Sequence, residues 1–351
     1  MDRNEKMKIR EGILPKYEIA AHFRLIQGCF IILLTLIHGG CATFAMSPKE
    51  TARTFPGFVA VVAKEGDTFS SLAAKYLKDP SWDWFLAEYN EIDALKPGQA
   101  VIIPLKPDKK GGLTLRGYQT VPVLSYHNLS LSEFNKMTVS RGMFEQQMSL
   151  LKEKGYRVIS MDQFFDFLEF KASIPPKSVV ITIDDGWLSA YEIAFPILKK
   201  YGYPATLFLY TDIIGKASKA LSWNLLQEMT NEGIEVQCHT ISHRNLTLPE
   251  KKESFKDYFE NLEKELEGCK DTVKQRLNRE VKYLAYPYGD WNSLVIETAK
   301  KLQYRGGLTI KRGGNPFFGH PFRVNRSEVH GDFTLSQFEK NLMVFQEQTL
   351  R

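Results

Sequence analysis

Four cysteines among 351 residues are too few for a disulfide framework. Basic residues (46) barely outnumber acidic ones (41), for a net charge of +5 with no long basic run, so composition gives no support for nucleic acid as a partner. The apolar stretch Cys29-Phe30-Ile31-Ile32-Leu33-Leu34-Thr35-Leu36-Ile37 is too short to span a bilayer comfortably. What remains is an ordinary globular composition, 43% hydrophobic and 25% charged, with length for one large domain and a small one.

Arg10, Lys16 and Arg24 precede that apolar stretch, which therefore reads as the core of a signal peptide. The following His38-Gly39-Gly40-Cys41-Ala42 resembles a bacterial lipobox, with His38 where leucine is usual. The expectation is a signal or lipoprotein peptide over 1–41 and export to the cell envelope. Membrane contact would come only through that signal or a lipid on Cys41, and plain cleavage near Ala42 or Ala45 is the alternative. Cys238 and Cys269 would then be the cysteines of the mature fold, and their pairing cannot be read from sequence.

After this leader, Val59-Ala60-Val61-Val62 predicts a strand, Gly66-Asp67-Thr68 a turn, and Phe69, Leu72, Ala73 and Tyr76 a short helix by their spacing of three and four. An aromatic-rich segment with Trp82, Trp84, Phe85 and Tyr89 ends at Asn90, and Leu95-Lys96-Pro97-Gly98 turns into the strand Val101-Ile102-Ile103-Pro104. This β-α-α-β order, with Gly-Asp-Thr, the Asn and the Leu-x-Pro-Gly close, resembles a LysM domain over 56–106. The resemblance implies binding of N-acetylglucosamine polymers. A small structural or interaction module without sugar affinity is the alternative.

The polar, proline- and glycine-containing stretch Lys106-Pro107-Asp108-Lys109-Lys110-Gly111-Gly112 places a linker at 107–116 and a second domain at 117–351. There, apolar runs at 121–125, 179–183, 206–210, 234–238 and 283–286 alternate with helical patterns at 143–154, 190–200, 250–277 and 293–302. Short apolar strands separated by amphipathic helices predict an α/β fold, a parallel sheet that closes into a barrel with its chemistry at the C-terminal strand ends.

Three motifs lie at such ends. Asp184-Asp185-Gly186 follows Val179-Val180-Ile181-Thr182-Ile183, and an Asp-Gly turn alone would explain it equally well. His239-Thr240-Ile241-Ser242-His243 follows the run 234–238, and two of only seven histidines at this spacing favour metal ligation. With one carboxylate they would form a facial triad with open positions. The strand Leu284-Ala285-Tyr286 stops at Pro287-Tyr288-Gly289, a turn that by itself is unexceptional but whose backbone N–H could serve an oxyanion.

Together and in this order, the motifs resemble the polysaccharide deacetylase (NodB-homology) family, whose fold is a distorted (β/α) barrel. The resemblance implies a divalent metal, usually zinc, on Asp185, His239 and His243, with Asp184 as general base and the Tyr288 N–H as oxyanion donor. Such a metal acidifies water and polarises a carbonyl. A general acid is also needed, and a histidine suits that near neutral pH. His127, ending Val121-Pro122-Val123-Leu124-Ser125-Tyr126-His127, resembles the acid of the poly-N-acetylglucosamine deacetylase branch; His330 is the alternative. Many relatives have an arginine where this chain has Ala285, and Arg326 could supply that charge to the base. Trp187, Tyr210, Tyr286 and Trp291 stand near these motifs as candidate sugar-packing rings or core residues. The functional expectation is removal of N-acetyl groups from N-acetylglucosamine residues of peptidoglycan or poly-N-acetylglucosamine. An O-acetyl xylan esterase and a non-catalytic glycan-binding protein are the rivals.

Overall fold

The computed structural model describes residues 51–106, 112–114 and 116–348. The expected leader 1–41 with Cys41, and most of the linker 107–116, lie outside the described residues.

The small domain pairs β2 (Phe58–Val62) antiparallel with β3 (Ala100–Pro104), in register from Phe58↔Pro104 to Val62↔Ala100. Val59, Val61, Val101 and Ile103 are its buried strand residues, the period-two face of a half-buried pair. Between the strands stand the helices Phe69–Leu77 and Asp83–Asn90, joined by a short 3-10 turn, Pro80–Trp82. Thr68 and Ser71 cap the first helix reciprocally, which is why the chain turns at Gly66-Asp67-Thr68. Asn90 ends the second helix because its amide spans helix and sheet. It donates to the carbonyls of Leu86 and Ile102 and accepts from the N–H of Ile102. One strand exceeds the expected order: β1 (Ala52–Phe55) precedes the module, and its Phe55 stacks on Phe58 at 4.7 Å.

The larger domain comprises β4 (Leu113–Thr114), β5 (Gly117–Tyr126), β6 (Asn128–Ser130), β7 (Thr138–Ser140), β8 (Arg157–Val158), β9 (Ser178–Asp185), β10 (Thr206–Leu209), β11 (Glu235–Cys238), β12 (Tyr283–Ala285), β13 (Gly306–Leu308), β14 (Gly314–Pro316), β15 (Ser327–Glu328) and β16 (Phe345–Glu347). The curled sheet runs β13-β12-β11-β10-β9-β5-β14 and is parallel from β13 to β5. Its ring is closed by a thin seam. Val324 pairs with Leu308 of β13, and three residues later Ser327 of β15 pairs parallel with Leu124 of β5. This is the expected distorted (β/α) barrel.

The alternation along β9 positions the site. Val179, Ile181 and Ile183 belong to the core shared with the surrounding helices, whereas Val180 belongs to a second core with Val123, Phe208, Ala285 and Leu308. Thr182 and Asp184 continue the parity of Val180, so the strand delivers a carboxylate to the barrel's mouth on its inner face. Both faces are buried, which explains why the strand reads as a continuous apolar run.

Two helices depart from expectation. The segment 190–200 is a π-helical turn, Ala190–Ala194, followed by the helix Phe195–Tyr201, because Pro196 has no N–H to donate back one regular turn. The long charged helix begins at Phe255 rather than 250, where the Ser254 side chain accepts from the Asp257 N–H. A disulfide joins Cys238, the last residue of β11, to Cys269 of that helix. Among the described residues no helix is long and apolar enough to cross a membrane.

Candidate active site

One cavity of about 260 Å³ brings together His127, Asp184, Asp185, His239, His243, Tyr288 and Arg326, with Tyr286 and Glu328 also in its lining; Trp187, Tyr210 and Trp291 are not part of it. Nor is His330. Its Nε2 lies 3.9 Å from Glu328, and its ring packs against Phe333.

Asp184 and Arg326 form a buried ion pair at the base of the cavity, 1% and 0% exposed. Arg326 Nη1 donates to Asp184 Oδ1 at 2.8 Å while Nε donates to the Thr309 carbonyl at 2.9 Å, so the guanidinium is fixed from two strand ends. Burial alone would raise the Asp184 pKa, but Arg326, His239 and His127 outweigh it and hold the carboxyl at about 2. The group is therefore ionised at neutral pH. Its second oxygen, Oδ2, accepts from Ser125 Oγ at a long 3.4 Å. Arg326 Nη2 has no hydrogen-bond partner among the described residues, an orphaned buried donor beside the cavity.

Next along β9, Asp185 takes a left-handed backbone (φ 76°) and thereby leaves the inward parity of Asp184 to face the histidine loop. Its Oδ2 accepts from Trp187 Nε1 at 3.0 Å, which orients the carboxylate. Oδ1 lies 3.8 Å from His239 Nε2 and 3.6 Å from His243 Nε2, and the two imidazole nitrogens are 3.1 Å apart. Ligand atoms at ~2.1 Å from a tetrahedral cation would be separated by roughly 3.4 Å, so this donor set fits a small divalent metal. His239 Nδ1 sits 2.8 Å from the Ala285 carbonyl, an arrangement that puts the proton on Nδ1 and leaves Nε2 as a lone-pair donor. Burial drives the His239 pKa down to about 4 against the pull of Asp184 and Asp185, which keeps the ring neutral.

His243 reaches the same point from a loop in which Thr240 (φ 74°) and His243 itself (φ 64°) are left-handed. Tyr210 and Tyr288 rings flank it at 5.1 and 4.9 Å. Tyr288 also has a positive φ (61°), and its ring is 57% exposed at the rim. Tyr286 is fully buried and donates to the Phe322 carbonyl, and Trp291 lies under Arg323 at 4.2 Å. Both are accounted for by packing.

Sequence reasoning missed Glu328 and Met137 as cavity residues. Glu328 stands two places from Arg326, but its strand, Ser327–Glu328, is too short for a period to point to it. Met137 lies in an irregular loop between β6 and β7, where no periodicity points anywhere.

Residues 171–307 match the polysaccharide deacetylase family and residues 61–104 match the LysM domain. Over 191 residues the chain is 30% identical to a poly-beta-1,6-N-acetyl-D-glucosamine N-deacetylase of Staphylococcus aureus (strain MRSA252), covering 53% of this chain. The chain spans 65% and 66% of the length of the curated relatives it matches. Among solved structures, the Streptococcus pyogenes deacetylase PplD in complex with acetate superposes with a TM-score of 0.58 at 25% identity, covering 64% of this chain and 98% of that one. IcaB from Ammonifex degensii gives 0.58 at 26% identity, covering 64% and 98%.

Proposed function

We propose, for a chain that carries a polysaccharide deacetylase domain behind a LysM domain, that it removes N-acetyl groups from N-acetylglucosamine residues of a cell-envelope polymer. Residues 117–351 would perform the reaction and 56–106 would hold the polymer. The observation that carries this reading is the meeting, in one cavity, of an ionised buried carboxylate with a separate carboxylate–imidazole–imidazole set.

Asp185, His239 and His243 would hold a divalent cation, zinc by the chemistry of two imidazoles and one carboxylate. When bound, it supplies acidified water and polarisation of the acetamide carbonyl. Asp184 accepts a proton during attack. Its low pKa sacrifices basicity for guaranteed ionisation, and Arg326 holds Oδ1 so that the carboxylate cannot rotate. The Tyr288 N–H, on a turn held at positive φ, is the donor for the developing oxyanion. His127 donates a proton to the departing amine, a role supported over His330 by its place in the cavity wall, which His330 does not line.

A poly-N-acetylglucosamine substrate is favoured by the named activity of the Staphylococcus aureus relative; an O-acetyl xylan esterase would use the same groups. Export and a lipid on Cys41 belong to this reading. The test is acetate release from peptidoglycan, poly-N-acetylglucosamine and acetylxylan, with chelator and with added zinc. Release from an N-acetylglucosamine polymer that stops with chelator and returns with zinc is expected. Indifference to chelator sinks the metal assignment, and release from acetylxylan alone sinks the substrate.

A further inference from the structure

The helix Phe255–Leu277 meets the histidine loop with three residues of a single stripe, Glu265, Gly268 and Cys269. Glu265 Oε2 accepts from the backbone N–H groups of Ile241 (2.9 Å) and Ser242 (3.0 Å), and Oε1 accepts from Ser242 Oγ at 2.6 Å. At Gly268 the two segments touch: a Cβ there would stand 2.6 Å from Ile241 Cδ1. Cys269 is bonded to Cys238, directly before His239. From the opposite side, Thr211 and Asp212 donate their N–H groups to the carbonyls of Thr240 and Ile241, and His243 N–H donates to Thr240 Oγ1. The loop thus has polar partners on both flanks. It also needs them, since Thr240 and His243 both adopt the left-handed backbone that residues with a Cβ hold only when their surroundings dictate it.

We propose that Glu265 is the positioning residue of the metal centre: its carboxylate, seated on two successive backbone N–H groups, holds the 239–243 loop in the shape that brings the His239 and His243 Nε2 atoms to 3.1 Å. The Cys238–Cys269 bond ties the helix to the residue directly before that loop. The proposal rests on the metal-dependent reading above and adds to it a residue that touches neither metal nor substrate. A carboxylate is suited to the task, because its two oxygens can accept three bonds at once and two adjacent N–H groups form a natural anion seat.

The test measures zinc affinity of the full-length chain, freed of metal, by competition with a chromophoric chelator, beside kcat and KM for acetate release and melting without metal. Glu265→Ala should weaken zinc binding by roughly 10- to 100-fold, with the metal-free melting temperature and the polymer KM little changed. Glu265→Gln, which keeps one acceptor oxygen, should fall between. Gly268→Ala should change zinc affinity little, since the atom its Cβ would meet is the free end of the Ile241 side chain, which can turn aside. Zinc affinity within threefold of the unaltered chain in Glu265→Ala overturns the positioning role alone. Should Glu265→Ala fail to fold, Glu265→Gln decides by the same threefold criterion. An unaltered chain that binds no zinc overturns the metal reading, and this proposal with it.

Discussion

The two ends of the barrel both concentrate charge, and they do so in opposite ways. At the end where β12 and β13 begin, Lys282 pairs with Asp162, and Arg305 donates to Glu169 through Nε and Nη2, to Asp166 through Nη2 and to Tyr283 through Nη1. These five charged side chains are 22–45% exposed, so water shares the load. At the other end Asp184 and Arg326 are sealed from solvent, Arg326 Nη2 is unpartnered, and an Asp185 oxygen converges with two imidazole nitrogens within 4.8 Å. A charge network that closes on itself and borders water holds elements together. One that is buried and left with open valences is arranged for something that arrives.

That contrast breaks first at Asp184. Asp184→Asn should lower acetate release by roughly 10²- to 10⁴-fold while zinc affinity stays within a few-fold, since the ligand set is untouched; a variant retaining a tenth of the activity would make Asp184 structural. Next, His127→Ala should cost on the order of 10²-fold in kcat and His330→Ala less than threefold. The reverse order in the same assay would move the acid outside the cavity.

At the other end, Arg305→Ala should cost about 2 kcal/mol in urea unfolding, the worth of a few charge-assisted bonds discounted for exposure, and leave kcat unchanged. A fall in kcat without a fall in stability would erase the distinction between the two ends. The smallest effect concerns Glu253, whose carboxyl Arg244 and Asn261 draw from an ordinary 4.5 to about 2. A depressed folded pKa stabilises above the unfolded value and is lost as pH falls, so Glu253→Gln should flatten the acid side of the stability curve between about 4.5 and 2. An unchanged curve there would show the pair to be decorative.

The open end was the more legible from sequence, and for a physical reason. Asp184, Asp185, His239 and His243 each follow an apolar run, so a change from buried strand to polar residue marks where the barrel opens. Order along the chain then did what no single motif could. Closure into a barrel was expected, but the residues that make it were not legible, because Val324 and the two residues of β15 form a seam too short to carry a period. Neither was Glu265. Its helix also carries Glu260, Glu263 and Glu267, identical in one dimension, and only the packing of the helix against the histidine loop singles out the one that meets backbone N–H groups. The Cys238–Cys269 bond was hidden for the same reason, being a matter of proximity across 31 positions.

The separation between Asp184 and Arg326 has a consequence in time as well as space. The guanidinium that keeps Asp184 ionised is made 142 positions after it, and reaches it only when β15 docks against β5. Without that guanidinium, burial would push the Asp184 carboxyl toward its protonated form, which cannot accept a proton. Contacts of such long sequence separation carry a large loop-closure cost and slow the folding of the chain that depends on them. The contact that completes the thinnest seam of the barrel thus also completes the buried ion pair, so the shape of the ring and the charge state of Asp184 depend on the same short strand.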